Sequence, residues 1–414
     1  MQDPNTMSYN KGYDMDFDGY DKETGCIAFP EKEWADWYDY FVGQEPERFY
    51  AYVKREAEKR ELDSEFIGEV NVHKNKDNNW YEMGIVLEAK YRGNGYAGKA
   101  LWLLLQHAFE DMNAEAVHNV FEEERSAALK THLSVGFTEY CRENGIIELL
   151  ITREQYFRQK AVQRMTAAIS EILADNQPSI YLYGSSVMND FRLGWSDIDI
   201  LVLTKKSISS SQAEELVTLR QKLLKAEPSN PYYRSFEGGM LTFSAFVSKE
   251  PDRVVYWGTG GQRITDTYRF DSFCMSELLE SGKLLFGEDI RFLLKSPEYT
   301  DFYQDVKKHY EVIRRYAQTT DRSFYSFGWL LDIARGVYTL MYGKVISKTA
   351  AGQWALDNNL CPVKSALEIA LRVRRSPVDY LKNKEILDYA AKLGPDVQCF
   401  SDVLEKELNM RENI

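Results

Sequence analysis

The sequence is poor in the residues that build metal and disulfide frameworks: 414 residues hold five cysteines and five histidines. Cys26, Cys141, Cys274, Cys361 and Cys399 are scattered, with no CxxC pair and no histidine at ligand spacing. That argues against a zinc site or a disulfide scaffold and predicts reduced, mostly buried thiols. Long hydrophobic runs are missing as well, and the N-terminus lacks the basic-then-apolar order of a secretion signal. A cytoplasmic protein with no membrane partner is expected. Positive charge is in deficit, 51 Lys and Arg against 64 Asp and Glu, a net charge of -13. This weighs against a nucleic-acid partner and suits a cationic one. The remainder is globular in composition, 44% hydrophobic and 14% aromatic, enough to core two or three domains.

The chain is organised around residues 181–204, YLYGSSVMNDFRLGWSDIDILVLT. The pattern predicts an apolar strand, a Gly184-Ser185-Ser186 turn, a polar connection and a second apolar strand carrying Asp197 and Asp199. Residues two apart on a strand share a face, so both carboxylates point one way while Ile198 and Ile200 enter the core. Two carboxylates so close repel unless a divalent cation lies between them, and hard oxygen ligands with room for phosphate suit Mg²⁺. A Gly-Ser turn followed on the next strand by alternating apolar and Asp residues resembles the nucleotidyltransferase superfamily. The resemblance implies that Gly184 and Ser185 hold a triphosphate and that Asp197 and Asp199 hold Mg²⁺. It also implies a third acid on a later strand, expected over residues 235–246, where Glu237 is the candidate general base. Glu250 and Asp252 compete for that role. Between these strands, residues 207–226 predict a helix, with Ser211 and Glu214 at capping-box spacing.

Ahead of this core, the first 25 residues show no periodicity, and residues 31–42 and 48–59 predict amphipathic helices. Residues 66–73 and 80–87 alternate around a polar turn at 76–79 and predict a hairpin. It runs into YRGNGYAG at 91–98 and a helical stretch at 99–111. Glycines before a helix N-terminus leave free backbone N–H groups that can bind a pyrophosphate. A strand at 116–121, a helix at 125–133, the Gly136-Phe137 pair and a strand at 146–151 complete an order that resembles the GNAT family of N-acetyltransferases, over roughly residues 7–155. The resemblance implies acetyl-coenzyme A with its pyrophosphate on Arg92, Gly93, Asn94, Gly95, Tyr96 and Ala97. It places the pantetheine arm along the strand ending at Leu87 and passes the acetyl group to an amine. His132 stands where a tyrosine acid is usual, Arg125 where an asparagine is common, and no first strand is evident before Trp34. His132 is the candidate acid and Glu82 the candidate base. A histidine packed beside the cleft and an exposed hairpin carboxylate are the alternatives.

Residues 153–174 carry helical spacing, and no flexible Gly/Ser linker separates the halves, which predicts a short rigid junction near residue 155. From residue 297 onward the pattern is helical: 297–319, 324–342, 347–358, 365–374 and two more, an up-and-down bundle. Within it, LLDIARGVY at 330–338, GKVISK at 343–348 and Trp354-Ala355 resemble the C-terminal domain of spectinomycin/streptomycin-type aminoglycoside adenylyltransferases. That resemblance implies that Arg335 and Lys348 reach the ATP phosphates. The acid such enzymes set against the drug's amines has no aligned match; Asp321 and Asp332 lie nearby.

The expected fold class is α+β multidomain: a GNAT-like mixed sheet with helices over 1–155, a nucleotidyltransferase α/β core over 156–290, and a C-terminal helical bundle over 291–414 completing the nucleotide and substrate cleft. The expected activity is AMP transfer from MgATP to a hydroxyl of a small cationic substrate, the resemblance pointing to an aminoglycoside. An acetyl-CoA-dependent N-acetyltransferase-like domain stands beside it. Mg²⁺, ATP and acetyl-CoA follow as cofactor and co-substrates. The competing reading has a protein or RNA acceptor, with the GNAT-like part an acyl-CoA-binding or structural module. The oligomeric state is left open.

Overall fold

The computed structural model describes residues 2–16, 18–55, 65–251, 253–258 and 260–412. The chain divides into two compact units, Met1–Lys160 and Ala161–Ile414.

The first unit opens with one helical turn, α1 (Pro4–Met7), capped by the Asp3 carboxylate, and a longer helix, α2 (Trp34–Val42). Six strands follow: β1 (Arg48–Arg55), β2 (Glu65–Asn75), β3 (Trp80–Leu87), β4 (Ala116–Glu122), β5 (Thr138–Glu143) and β6 (Ile146–Thr152). Helix α3 (Tyr96–Gln106) follows β3, and α4 (Ser126–Ser134) follows β4. The strands form one sheet in the order β1-β2-β3-β4-β6-β5, with β3 and β4 parallel. Alternate residues Val70, Val72, Met83, Val117, Ile147 and Leu149 turn to the core and meet Leu101, Leu104 and Leu105 of α3. Residues 48–55 are therefore a strand and not the helix their aromatic spacing suggests. Phe49, Ala51 and Val53 pack on the core, and Tyr52 on the other face is exposed. That is a period of two. Residues 56–59 of that expected helix lie outside the described residues. Strand β5, TEYCRE, is too polar to announce itself and forms the sheet edge. Among the described residues no strand precedes Arg48; only an isolated bridge, Tyr20 to Ile27, does.

The boundary between the units falls inside α5 (Arg153–Ile172). The second unit contains β7 (Pro178–Tyr183), β8 (Ile198–Thr204), α6 (Ser210–Ala226), β9 (Phe236–Thr242), α7 (Phe243–Ser248), β10 (Val254–Gly258), β11 (Gly261–Thr265), α8 (Ser272–Glu280) and β12 (Lys283–Phe286). Its sheet runs β11-β10-β9-β8-β7-β12, with β8 and β9 parallel. All six residues of β7 are buried, so both faces of the sheet are covered at this strand. The cap of α6 is two residues earlier than its sequence suggests: Ser209 Oγ accepts from the Gln212 N–H at 3.2 Å, and Gln212 Oε1 accepts from the Ser209 N–H at 3.0 Å. The strand expected over 235–246 stops at Thr242, whose hydroxyl accepts from the Ala245 N–H at 3.2 Å and starts α7.

The rest is helical: α9 (Tyr299–Tyr316), α10 (Tyr325–Tyr342), α11 (Lys348–Asp357), α12 (Lys364–Arg375), α13 (Pro377–Tyr380), α14 (Lys384–Ala390) and α15 (Gly394–Met410). Three helices thus follow α12, where the pattern suggested two. Helix α10 is the hub, contributing Phe327, Leu330, Leu331, Ile333, Ala334, Val337 and Leu340 to one core with α9, α11, α12 and α15. Among the described residues no helix is long and apolar enough to cross a membrane. All five cysteines are free thiols, but only Cys361 is buried. Cys399 is exposed because its neighbours Val397 and Phe400 take the inward face of α15.

Candidate functional site

The site of the second unit begins at the turn after β7. Gly184 has φ +70°, and a Cβ there would lie 2.3 Å from Asp199 Oδ2. Only glycine lets the turn press against that carboxylate. Ser185 Oγ donates to the Asp197 carbonyl at 3.4 Å, tying the turn to the start of β8. Parallel pairing of β8 with β9 sets Asp199 opposite Glu237. Gly238 keeps the strands close: at φ +145°, its Cβ would fall 1.8 Å from the Ile200 carbonyl oxygen. Tyr256 Oη, on the next strand, donates to Glu237 Oε1 at 3.0 Å. The connection between turn and β8 is anchored by Asp190. Its carboxylate pairs with Arg374 of α12 at 2.8 Å, both side chains being 5% exposed or less, and accepts from the Thr349 N–H at 3.3 Å.

These carboxylates crowd one another. Burial pushes Asp197 up to about 7, helped by the charge of Glu237 and a hydrogen bond shared with it. Burial also pushes Asp199 well above the usual carboxylate range, with Glu277, Asp197 and Glu237 adding repulsion. Charge compensation is incomplete, and two oxygen ligands in that condition fit a divalent cation of the Mg²⁺ type.

A cavity of about 420 Å³ is lined by Gly184, Ser185, Asp197, Asp199, Glu277, Arg335 and Lys348, among others. Glu237 stands on the adjoining strand and is not among its lining residues. Lys348 Nζ pairs with Asp332 at 2.8 Å, and His309 approaches the same carboxylate at 3.7 Å. Despite burial, Lys348 and His309 hold Asp332 below the ordinary carboxylate range. Asp332 is thus a partner of Lys348. Of the competing acids, Glu250 is exposed and Asp252 lies outside the described residues.

Sequence reasoning missed Glu277, Tyr256 and the Asp190–Arg374 clamp. Glu277 left one signal: it is an acid at the same spacing as Phe273 on the inward stripe of the apolar helix SFCMSELLE.

In the first unit, β3 and β4 pair only at Tyr81–Val117 and Glu82–His118, then part. Among the described residues, this edge of β3 has no strand partner beyond Glu82. Glu82 is no exposed hairpin carboxylate. Its Oε2 meets His118 Nδ1 at 2.7 Å, while Oε1 accepts from Trp80 Nε1 at 2.6 Å and Asn75 Nδ2 at 3.1 Å. Burial raises its pKa, but the hydrogen bonds from His118 and Trp80 outweigh that and hold it lowered. His118 Nε2 also faces Glu148 Oε2 at 3.3 Å, and Trp80 stacks on the imidazole at 4.5 Å.

His132 is buried. Its Nδ1 meets the Ala128 carbonyl at 2.8 Å, Asn119 Nδ2 meets its Nε2 at 2.9 Å, and burial lowers its pKa. Both nitrogens are engaged, so the packed imidazole is the geometry found and the candidate acid is not supported. Arg125 pairs with Glu122 at 2.5 Å and donates to the Tyr9 carbonyl at 2.9 Å.

In the loop before α3, Gly93 and Gly95 have φ +81° and +78°, and Asn94 Nδ2 donates to the Tyr91 and Arg92 carbonyls at 3.2 Å each. Tyr96 and Ala97 pack with Leu87, and the first turn of α3 has no side-chain cap. The Arg92 guanidinium donates to the carbonyls of Leu87, Asn5 and Thr6 at 3.1, 3.3 and 2.7 Å. It thereby ties the loop to the end of β3 and to the N-terminal turn.

Residues 1–138 match the family model of the acetyltransferase (GNAT) domain, and residues 167–231 match that of the nucleotidyltransferase domain. The chain is a transferase built of two parts. It carries a GNAT acetyltransferase domain followed by a nucleotidyltransferase domain. Among solved structures it is similar to a spermidine N-acetyltransferase from Vibrio cholerae in complex with CoA and spermine, at 17% identity over 32% of this chain and 80% of that one, with a TM-score of 0.27. It is also similar to a spectinomycin adenyltransferase from Enterococcus faecialis with ATP and spectinomycin, at 17% identity over 60% of this chain and 99% of that one, with a TM-score of 0.44. No curated protein matches the sequence.

Proposed function

We propose that the second unit transfers AMP from MgATP to a hydroxyl of a small cationic acceptor, with aminoglycosides the first class to test. The observation that carries this is the pair of under-compensated carboxylates Asp197 and Asp199, lining one cavity with Arg335 and Lys348, with Glu237 set opposite Asp199 on the adjoining strand. Asp197 and Asp199 would hold Mg²⁺, which supplies charge neutralisation on the phosphates and leaves room for their oxygens. Gly184 and Ser185 present the turn to the triphosphate, and Arg335 and Lys348 balance its charge from the helical side. Glu237, oriented by Tyr256, takes the proton of the acceptor hydroxyl as that oxygen bonds to the α-phosphorus. The phosphorus–oxygen bond to pyrophosphate breaks in the same displacement, and pyrophosphate leaves with the electron pair. Residues 156–290 form the catalytic core in this reading and 291–414 close the cleft.

Residues 1–155 would bind acetyl-CoA, with its pyrophosphate on the backbone of 93–97 and its arm along β3 towards Leu87. Glu82, pinned by His118 and Trp80, is the candidate base that takes the proton from the acceptor amine, and the protein acts in the cytoplasm.

Mass spectrometry of an aminoglycoside panel incubated with MgATP and acetyl-CoA, separately and together, tests the proposal. An AMP-sized gain that disappears in Asp199→Asn is the expected result. ATP binding without modification of any drug would point to a macromolecular acceptor instead.

A further inference from the structure

The two cations of the cleft are held differently. Lys348 is a flexible point charge against Asp332. Arg335 is fixed on several sides: its Nε donates to the Ile346 carbonyl at 2.7 Å, its Nη2 pairs with Glu277, and its Cζ lies over the Phe273 ring, 5.2 Å from the centroid. Among the described residues Nη1 makes no hydrogen bond, in a side chain that lines the cavity. A guanidinium is planar, so anchoring Nε and Nη2 also fixes where Nη1 can donate.

Glu277 supplies the one anchor with a charge. It projects from α8 on the sheet side and meets Arg335 from α10 in the bundle, so the pair spans the cleft. Both side chains are largely withdrawn from solvent, at 9% and 14% exposed. Setting a fourth carboxylate near Asp199 adds repulsion to a site already crowded with negative charge, and a buried ion pair is weak as a stabilising device. Its geometric consequence is the orientation of Arg335.

We propose that Glu277 is a positioning residue of the nucleotidyl-transfer site, holding Arg335 so that its free nitrogen addresses the polyphosphate of the nucleotide. This rests on the AMP-transfer reading of the same cavity. The full-length wild type, Glu277→Gln, Glu277→Asp, Arg335→Ala and the Glu277→Gln/Arg335→Ala double variant are titrated with MgATP by calorimetry, with thermal unfolding recorded for each. Glu277→Asp keeps the charge and shortens the reach, so it separates orientation from charge, and it carries the test if Glu277→Gln fails to fold.

Expected are MgATP affinities about tenfold weaker in each Glu277 variant. The double variant should be no weaker than Arg335→Ala alone, because Glu277 acts through Arg335. Folded Glu277 variants within about twofold of wild type overturn the proposal. Losses that add in the double variant overturn it as well. A wild type with no measurable MgATP binding instead overturns the nucleotidyl-transfer reading on which it rests.

Discussion

At the scale of single residues, the second unit keeps carboxylates together that would rather be apart, and pH reports on this directly. Asp197 has its pKa raised from 3.8 to about 7. Between those values the folded chain retains a proton that the unfolded chain has released, so stability falls as pH rises through the window and levels off above it. The fall is ~2–4 kcal/mol from this group. Denaturant unfolding at pH 5 and pH 8 should show lower stability at pH 8, and Asp197→Asn should reduce the difference, Asp199, raised in the same sense, carrying the rest. An unchanged slope in Asp197→Asn would mean that the strain is not borne there. Asp332 acts in the opposite sense. Held low by Lys348 and His309, it stabilises above the ordinary carboxylate range and that contribution is lost in acid. That Gly184, Ser185, Asp197 and Asp199 would come together was legible in the sequence because one short local segment holds them. Glu277 was not, because its meaning comes from Arg335, 58 residues away.

At the scale of elements, periodicity identified the helices wherever one face was apolar for several turns, as in α9, α10 and α12. It failed where aromatics satisfied both periods. In β1, RFYAYVKR offers rings at spacings a helix could use, and pairing with β2 along the whole strand decides for the extended form. Boundaries failed where local hydrogen bonding chose between adjacent serines. Ser209, not Ser211, caps α6, in reciprocal bonds with Gln212. Ser209→Ala should therefore destabilise the second unit by about 1 kcal/mol, while Ser211→Ala should change it by less than about 0.5 kcal/mol. Urea midpoints of the two variants check this; equal losses would place the cap elsewhere. The parting of β3 and β4 was invisible in the sequence, since it depends on which backbone groups a distant strand leaves unpaired.

At the scale of the whole molecule, charge is the property that bears on substrate choice. The chain carries -13 overall, and in the second unit the cavity brings Asp197, Asp199, Glu277 and Asp332 together with Arg335 and Lys348. A polycationic acceptor approaching such a surface gains from long-range attraction, and MgATP, itself anionic, does not. Salt shortens that attraction, with a screening length of about 10 Å at 0.1 M and roughly 3 Å at 1 M. The KM of a polyamine-like acceptor should thus rise severalfold between low and high NaCl while the KM for MgATP does not rise. Steady-state kinetics at fixed pH across a NaCl series measures both. A salt-independent acceptor KM would mean that recognition rests on short-range contacts, and a neutral acceptor would then fit the cleft as well as a cationic one. If both constants rose in parallel, the salt would be acting on the fold, and the unfolding midpoint measured over the same series would show it.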